Sequence, residues 1–179
     1  MQTFGKRVEG VSPAGNPSHG LVRGDSGPTV IDNDASAIMA GLRSELDRIR
    51  MTHDSSCVCV VSPDGDNAAL AMDGFGERFA TKLRSYDAIY RFAHDKYLIM
   101  LPHISRDDAV GVIKRLRTQV IGEPFAADGG GKIRVTASFG GTMLDSGAPL
   151  HEHIDRASEA HDWALKGMGD SICIWTHKI

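Results

Sequence analysis

The sequence predicts an α+β sandwich, in which short helices cover a mostly antiparallel sheet of five strands, and three observations carry that prediction. Two apolar runs, residues 88–92 and 97–101, flank Ala93, His94, Asp95 and Lys96 in the pattern of a hairpin. A continuous apolar run at 57–61 reads as a buried central strand. Apolar residues at helical spacing then recur between these runs, giving the order α, β, α, β-hairpin, α, β, α, β.

Residues 1–33 are crowded with Gly, Pro, Ser and Asp and show neither period, so they read as a flexible tail ahead of a domain at 34–179. Arg23-Gly24-Asp25-Ser26 contains the letters of a cell-adhesion tripeptide, which three common residues produce by chance in such a segment. Asp34 caps a first helix whose apolar residues are Ile38, Leu42, Leu46 and Ile49. The strand at 57–61 is closed by the turn letters Ser62-Pro63-Asp64-Gly65. Met72, Phe75, Phe79 and Leu83 mark a second helix, weakened by Gly74 and Gly76, that delivers Arg84 at its end. Asp95 tolerates a left-handed backbone and closes the hairpin that follows.

Ser105-Arg106-Asp107-Asp108 starts a third helix with the stripe Ala109, Ile113, Leu116 and Val120, and Arg115 points away from that stripe. The Gly-rich letters Asp128-Gly129-Gly130-Gly131 precede no helix that could aim amides at a phosphate, so 124–131 reads as a flexible loop. Val135, Ala137 and Phe139 alternate with Arg134, Thr136 and Ser138 in a further strand. A last helix at 151–166 and a strand at 172–175 complete the chain, with Phe79 and Trp163 assigned to the core.

An apolar content of 41% with 24% charged residues suits a soluble globule, and a net charge of -3 excludes a general attraction to nucleic acid or anionic lipid. Cys57 and Cys59 fall on one face of a strand and read as reduced core residues. The first ten residues lack the apolar core of a signal peptide, and no run approaches the roughly 18 residues that span a membrane, so a cytoplasmic protein is expected.

The order Arg84-x-x-Asp87, apolar strand, turn, apolar strand and Leu101-Pro102 resembles the GGDEF domain family of diguanylate cyclases. Val135-Thr136-Ala137-Ser138-Phe139-Gly140 resembles a later strand of that family, and Arg156-Ala157 with Lys166 and Gly169 resembles its last helix. The resemblance covers about residues 35–176 and implies a five-stranded, largely antiparallel sheet wrapped by helices, the ferredoxin-like palm shared with nucleotidyl cyclases.

In the five positions of the family's signature, this chain has Ala93, His94, Asp95, Lys96 and Tyr97. Ala93 and His94 add side chains where paired glycines admit GTP closely. Lys96 puts a cation where the family has a carboxylate that holds divalent metal. The family's other metal aspartate falls near Ser62, with Asp64 as its nearest substitute, and the stretch between there and Arg84 is shorter than the family pattern. The resemblance therefore implies loss of cyclase activity, with no catalytic residue and no magnesium, since a two-metal attack on a phosphate lacks its template.

Arg84 and Asp87 match the family's Arg-x-x-Asp inhibitory site, which binds cyclic di-GMP, and Arg115 matches an arginine supplied by the following helix. An arginine fork donates to guanine O6 and N7 while a carboxylate accepts from N1–H and the exocyclic amine. The bland alternatives are an Arg84 that complements a helix dipole, an Asp87 that shapes a turn, and an Arg115 that is one more solvated charge. His94 as a general base and His151-x-His153 as a metal pair have no third ligand or oriented nucleophile beside them.

The expected function is that of a catalytically inactive cyclic di-GMP receptor, signalling through a partner protein or a ligand-dependent homodimer. A ligand-independent interaction scaffold, or a GTP sensor or residual nucleotidyl cyclase using Asp64 and Asp95, are the alternatives.

Overall fold

The computed structural model describes residues 28–32, 34–127 and 130–176. The Arg-Gly-Asp-Ser letters at 23–26 and the loop residues 128 and 129 lie outside them. Four helices, α1 (Ala35–Thr52), α2 (Ala68–Ala80), α3 (Arg106–Ile121) and α4 (Leu150–Lys166), cover a five-stranded sheet. Its strands are β1 (Ser56–Asp64), β2 (Ala88–Ala93), β3 (Lys96–Pro102), β6 (Thr136–Met143) and β7 (Ile172–Ile174). They stand in the order β2-β3-β1-β6-β7, antiparallel except for the β6–β7 pair.

Alternation along β1 divides the core in two. Cys57, Cys59 and Val61 face Phe75, Phe79, Ile113 and Leu116 of α2 and α3, whereas Val58 and Val60 face Leu42, Leu46 and Ala157 of α1 and α4. Sγ of Cys57 lies 3.6 Å from Sγ of Cys59, and both thiols are free, as the shared face requires. Asp34 caps α1 by accepting from the amides of Ser36 and Ala37, and Ser105 caps α3 by accepting from Asp108.

Several boundaries differ from the sequence reading. β1 runs on through Ser62, Pro63 and Asp64, because β6 continues to pair with it after β3 has ended at the Val61–Tyr97 pair. Pro63, with no N–H to donate, occurs where β1 is paired on one side only. Helix α2 stops at Ala80, and Leu83 reaches the core from the turn beyond it. The stretch at 124–131 is not merely a loop: β4 (Phe125–Ala126) and β5 (Lys132–Ile133) form a small separate hairpin.

Phe79 is fully buried, but Trp163 is 39% exposed on α4 and does not belong to the core. The sheet edge is engaged before Asp34, since Ile31 bridges Tyr90 in parallel: its amide donates to Ile89 and its carbonyl accepts from Arg91. Among the described residues, no helix is long and apolar enough to cross a membrane.

Candidate functional site

The predicted trio converges. Arg84, Asp87 and Arg115 line one small pocket of about 20 Å³, together with Lys82, Pro102, Ile104 and Val112. Arg84 and Asp87 occupy a turn between α2 and β2, closed by the Asp87 amide donating to the Arg84 carbonyl at 3.0 Å. The Asp87 carboxylate folds back, its Oδ2 accepting from the Arg84 amide at 2.7 Å. Arg84 is four residues past the end of α2, so it does not complement that helix's dipole; Arg78 occupies the last turn.

Asp87 is only 7% exposed, and its Oδ1 is buried without a hydrogen-bond partner. Burial raises its pKa, opposed by the hydrogen bond from the Arg84 amide and by the charges of Arg84 and Arg115. A desolvated acceptor flanked by two cations is suited to a ligand that brings its own N–H donors. Arg115 is exposed on α3, one residue before the buried Leu116, as its helical phase requires.

Three neighbours of this site were absent from the sequence reading. Lys82 lines the pocket. Tyr86, 51% exposed, accepts from Arg84 Nη1 at 3.0 Å and meets His103 edge-on, with ring centroids 5.6 Å apart. An exposed tyrosine between the two charged residues was the one available signal.

The signature positions make up the β2–β3 hairpin. Ala93 pairs with Lys96, leaving His94 and Asp95 as the turn, with a register shift between Arg91 and Ala93. Neither turn residue has positive φ, so a left-handed Asp95 does not close it. The His94 side chain is almost fully exposed, whereas Tyr97 is buried, donating from its hydroxyl to the Met72 carbonyl at 2.9 Å.

Between this hairpin and the β1–α2 turn lies an open cleft of about 570 Å³. Ser62, Asp64, Asp73, Arg91, Asp95 and Lys96 contribute to its walls. Asp64 is already engaged: its Oδ2 accepts from the Ser138 hydroxyl at 2.7 Å and from the Asp170 amide at 2.9 Å. Ser62 Oγ lies 2.9 Å from Nε2 of the fully buried His161, whose Nδ1 has no partner. Burial and the nearby Lys96 lower the His161 pKa.

His151 and His153 do not form a metal pair. His153 is fully buried with Nε2 3.0 Å from the Asp145 backbone, while His151 is exposed. Among the described residues, no three His, Cys, Asp or Glu side chains gather in a way that could hold a metal ion.

Residues 65–170 match the family model described as diguanylate cyclase, GGDEF domain. No curated protein matches the chain. Among solved structures, diguanylate cyclase SiaD of Pseudomonas aeruginosa, in complex with its activator SiaC, is similar at 23% identity and a TM-score of 0.70. That match covers 80% of this chain but only 58% of SiaD. The GGDEF domain of YfiN from Pseudomonas aeruginosa is similar at 15% identity and a TM-score of 0.73, covering 80% of this chain and 96% of that one. The GGDEF domain of DgcB from Caulobacter crescentus, in complex with c-di-GMP, gives 14% identity and a TM-score of 0.70 over 92% of this chain and 100% of that one. At these identities the likeness is one of fold.

Proposed function

This chain belongs to the GGDEF domain family, and from that premise we propose that it is a cyclic di-GMP receptor without cyclase activity, its ligand held at Arg84, Asp87 and Arg115. The observation that carries the reading is the buried, unpartnered Oδ1 of Asp87 in a pocket shared with both arginines. The Arg84 fork donates to guanine O6 and N7, and Asp87 accepts from N1–H and the exocyclic amine. In this reading Arg115 pairs with phosphate oxygens.

The divalent ions implied by the family do not fit this donor set. Lys96 stands where a carboxylate is needed, Ser62 is tied to His161, and Asp64 is committed to Ser138 and Asp170. Ala93 and His94 replace the glycines of the family signature. The receptor reading therefore takes the signature hairpin as degenerate, with no step of GTP condensation assigned to it. Signalling then proceeds through a partner protein or through a second copy bridged by ligand.

Calorimetric titration with cyclic di-GMP, GTP and GDP tests the proposal. The parent protein is expected to bind cyclic di-GMP, and Arg84→Ala and Asp87→Ala are expected to lose that heat. Gel filtration with and without cyclic di-GMP reports dimer formation. Conversion of GTP to the cyclic dinucleotide, or silence toward it at high micromolar concentration, overturns the reading.

One observation favours a second reading as a GTP sensor: the cleft beside Asp95 is much larger than the Arg84 pocket. It predicts metal-dependent GTP binding that Asp95→Asn abolishes, and Lys96 opposes it.

A further inference from the structure

We infer that Tyr86, backed by His103, is a positioning residue that holds the Arg84 guanidinium beside the Arg84/Asp87 pocket, ready for ligand. This rests on the proposed reading of that pocket as the cyclic di-GMP site.

Among the described residues, the Arg84 guanidinium forms no close ion pair with a carboxylate, although its charge is felt at Asp87. The guanidinium instead donates to the Tyr86 hydroxyl at 3.0 Å and stands 5.7 Å from the centre of the Tyr86 ring. Tyr86 is half exposed, so the core does not require it. An unheld arginine gives up rotamer freedom when it engages a ligand, and holding it beforehand removes part of that cost.

The tyrosine is itself supported. Its ring meets His103 at an interplanar angle of 89°, and His103 directly follows Pro102, a residue of the pocket wall. His103 has φ +55, a conformation uncommon for a residue with a side chain, which persists where neighbours hold it. The holding group is Asp54, hydrogen-bonded to His103 Nδ1 and accepting from Arg48 Nη1 at 3.0 Å. Arg48 is fixed in turn by Glu45 and by the Ser56 hydroxyl. A chain of contacts thus runs from α1 to Arg84, hydrogen-bonded from Glu45 to His103 and by ring contact from His103 to Tyr86, and it ends at the group proposed to read guanine.

Tyr86→Phe removes the hydroxyl and keeps the ring. It is expected to weaken cyclic di-GMP binding about fivefold, the scale of one lost hydrogen bond, while leaving the thermal midpoint unchanged. In an Arg84→Lys background the same change should have no further effect, because Tyr86 acts through the guanidinium. Unchanged affinity in the single variant, or an equal loss in both backgrounds, overturns the inference.

A ligand-free arm separates this idea from the reading beneath it. Nitrogen-15 relaxation of the Arg84 Nε–H group should show a side chain more ordered in the parent than in Tyr86→Phe, and equal mobility refutes positioning. If the parent gives no heat with cyclic di-GMP, the receptor reading fails and this relaxation measurement alone decides the role of Tyr86. The same measurement decides it if Arg84→Lys binds too weakly to complete the cycle.

Discussion

The ring of Tyr97 lies against Gly76: a Cβ at that position of α2 would stand 2.4 Å from Cζ of the tyrosine. The contact joins the signature hairpin to the helix, reinforced by the hydrogen bond from Tyr97 to Met72. Gly76→Ala would gain about 1 kcal/mol from helix propensity alone. Overpacking should outweigh that gain, for a net destabilisation of about 1–2 kcal/mol in urea unfolding. A variant at least as stable as the parent contradicts this account of the glycine.

Asp64 should behave as a structural ligand of its own chain. Asp64→Ala removes the acceptor for both Ser138 and the Asp170 amide and should cost about 2–3 kcal/mol in the same measurement. If Asp64 instead served as a metal ligand, millimolar magnesium would raise the melting temperature of the parent and not of the variant. No magnesium-dependent shift is expected in either.

His161 should make stability pH-dependent. Its folded pKa is lowered, first by burial and then by Lys96, with Asp162, Asp64 and Asp95 acting in the opposite direction. The unfolded chain therefore takes up the proton first as pH falls below the ordinary value of about 6.5. The stability contributed by neutral His161 is complete above that pH and declines toward the lowered folded value, by at most about 1.4 kcal/mol per pH unit. His161→Gln should flatten this part of the profile whatever its effect on absolute stability; an unchanged slope assigns it to other groups.

Asp87 is placed at a cost to the empty protein. Its raised pKa and unpartnered Oδ1 mean that the charged form is poorly solvated. Asp87→Asn should leave the unfolding free energy unchanged or raise it by up to about 1 kcal/mol. The same change should weaken cyclic di-GMP by about 1–3 kcal/mol, since the amide replaces one of the two accepting oxygens with an NH2 donor that faces guanine's own donors. A large loss of stability would mean that Asp87 only shapes its turn.

Much of the fold was legible because the apolar pattern that buries each element is local. The stripes of α1 and α3 and the runs of β1 and β3 show their faces within a few residues. What was missed depends on partners distant in sequence. β1 extends through Ser62–Pro63–Asp64 against turn chemistry because β6 pairs there, and the two-residue strands β4 and β5 are too short to show a period. The apolar Leu83 continues the helical spacing of α2, yet it enters the core from a turn.

The site divides in the same way. Arg84 and Asp87 are three residues apart and readable as a unit, and the resemblance supplied Arg115. His161 meets Ser62 from 99 residues away, and His103 reaches Tyr86 only because the end of β3 folds beside that turn. Spacing within one stretch of chain carries no trace of either contact.

Ile31 is stitched between Ile89 and Arg91 of β2, and β2 begins one residue after Asp87. Displacing Ile31 would therefore unpair the edge of the strand whose first residue follows Asp87, so the two positions share one backbone seam.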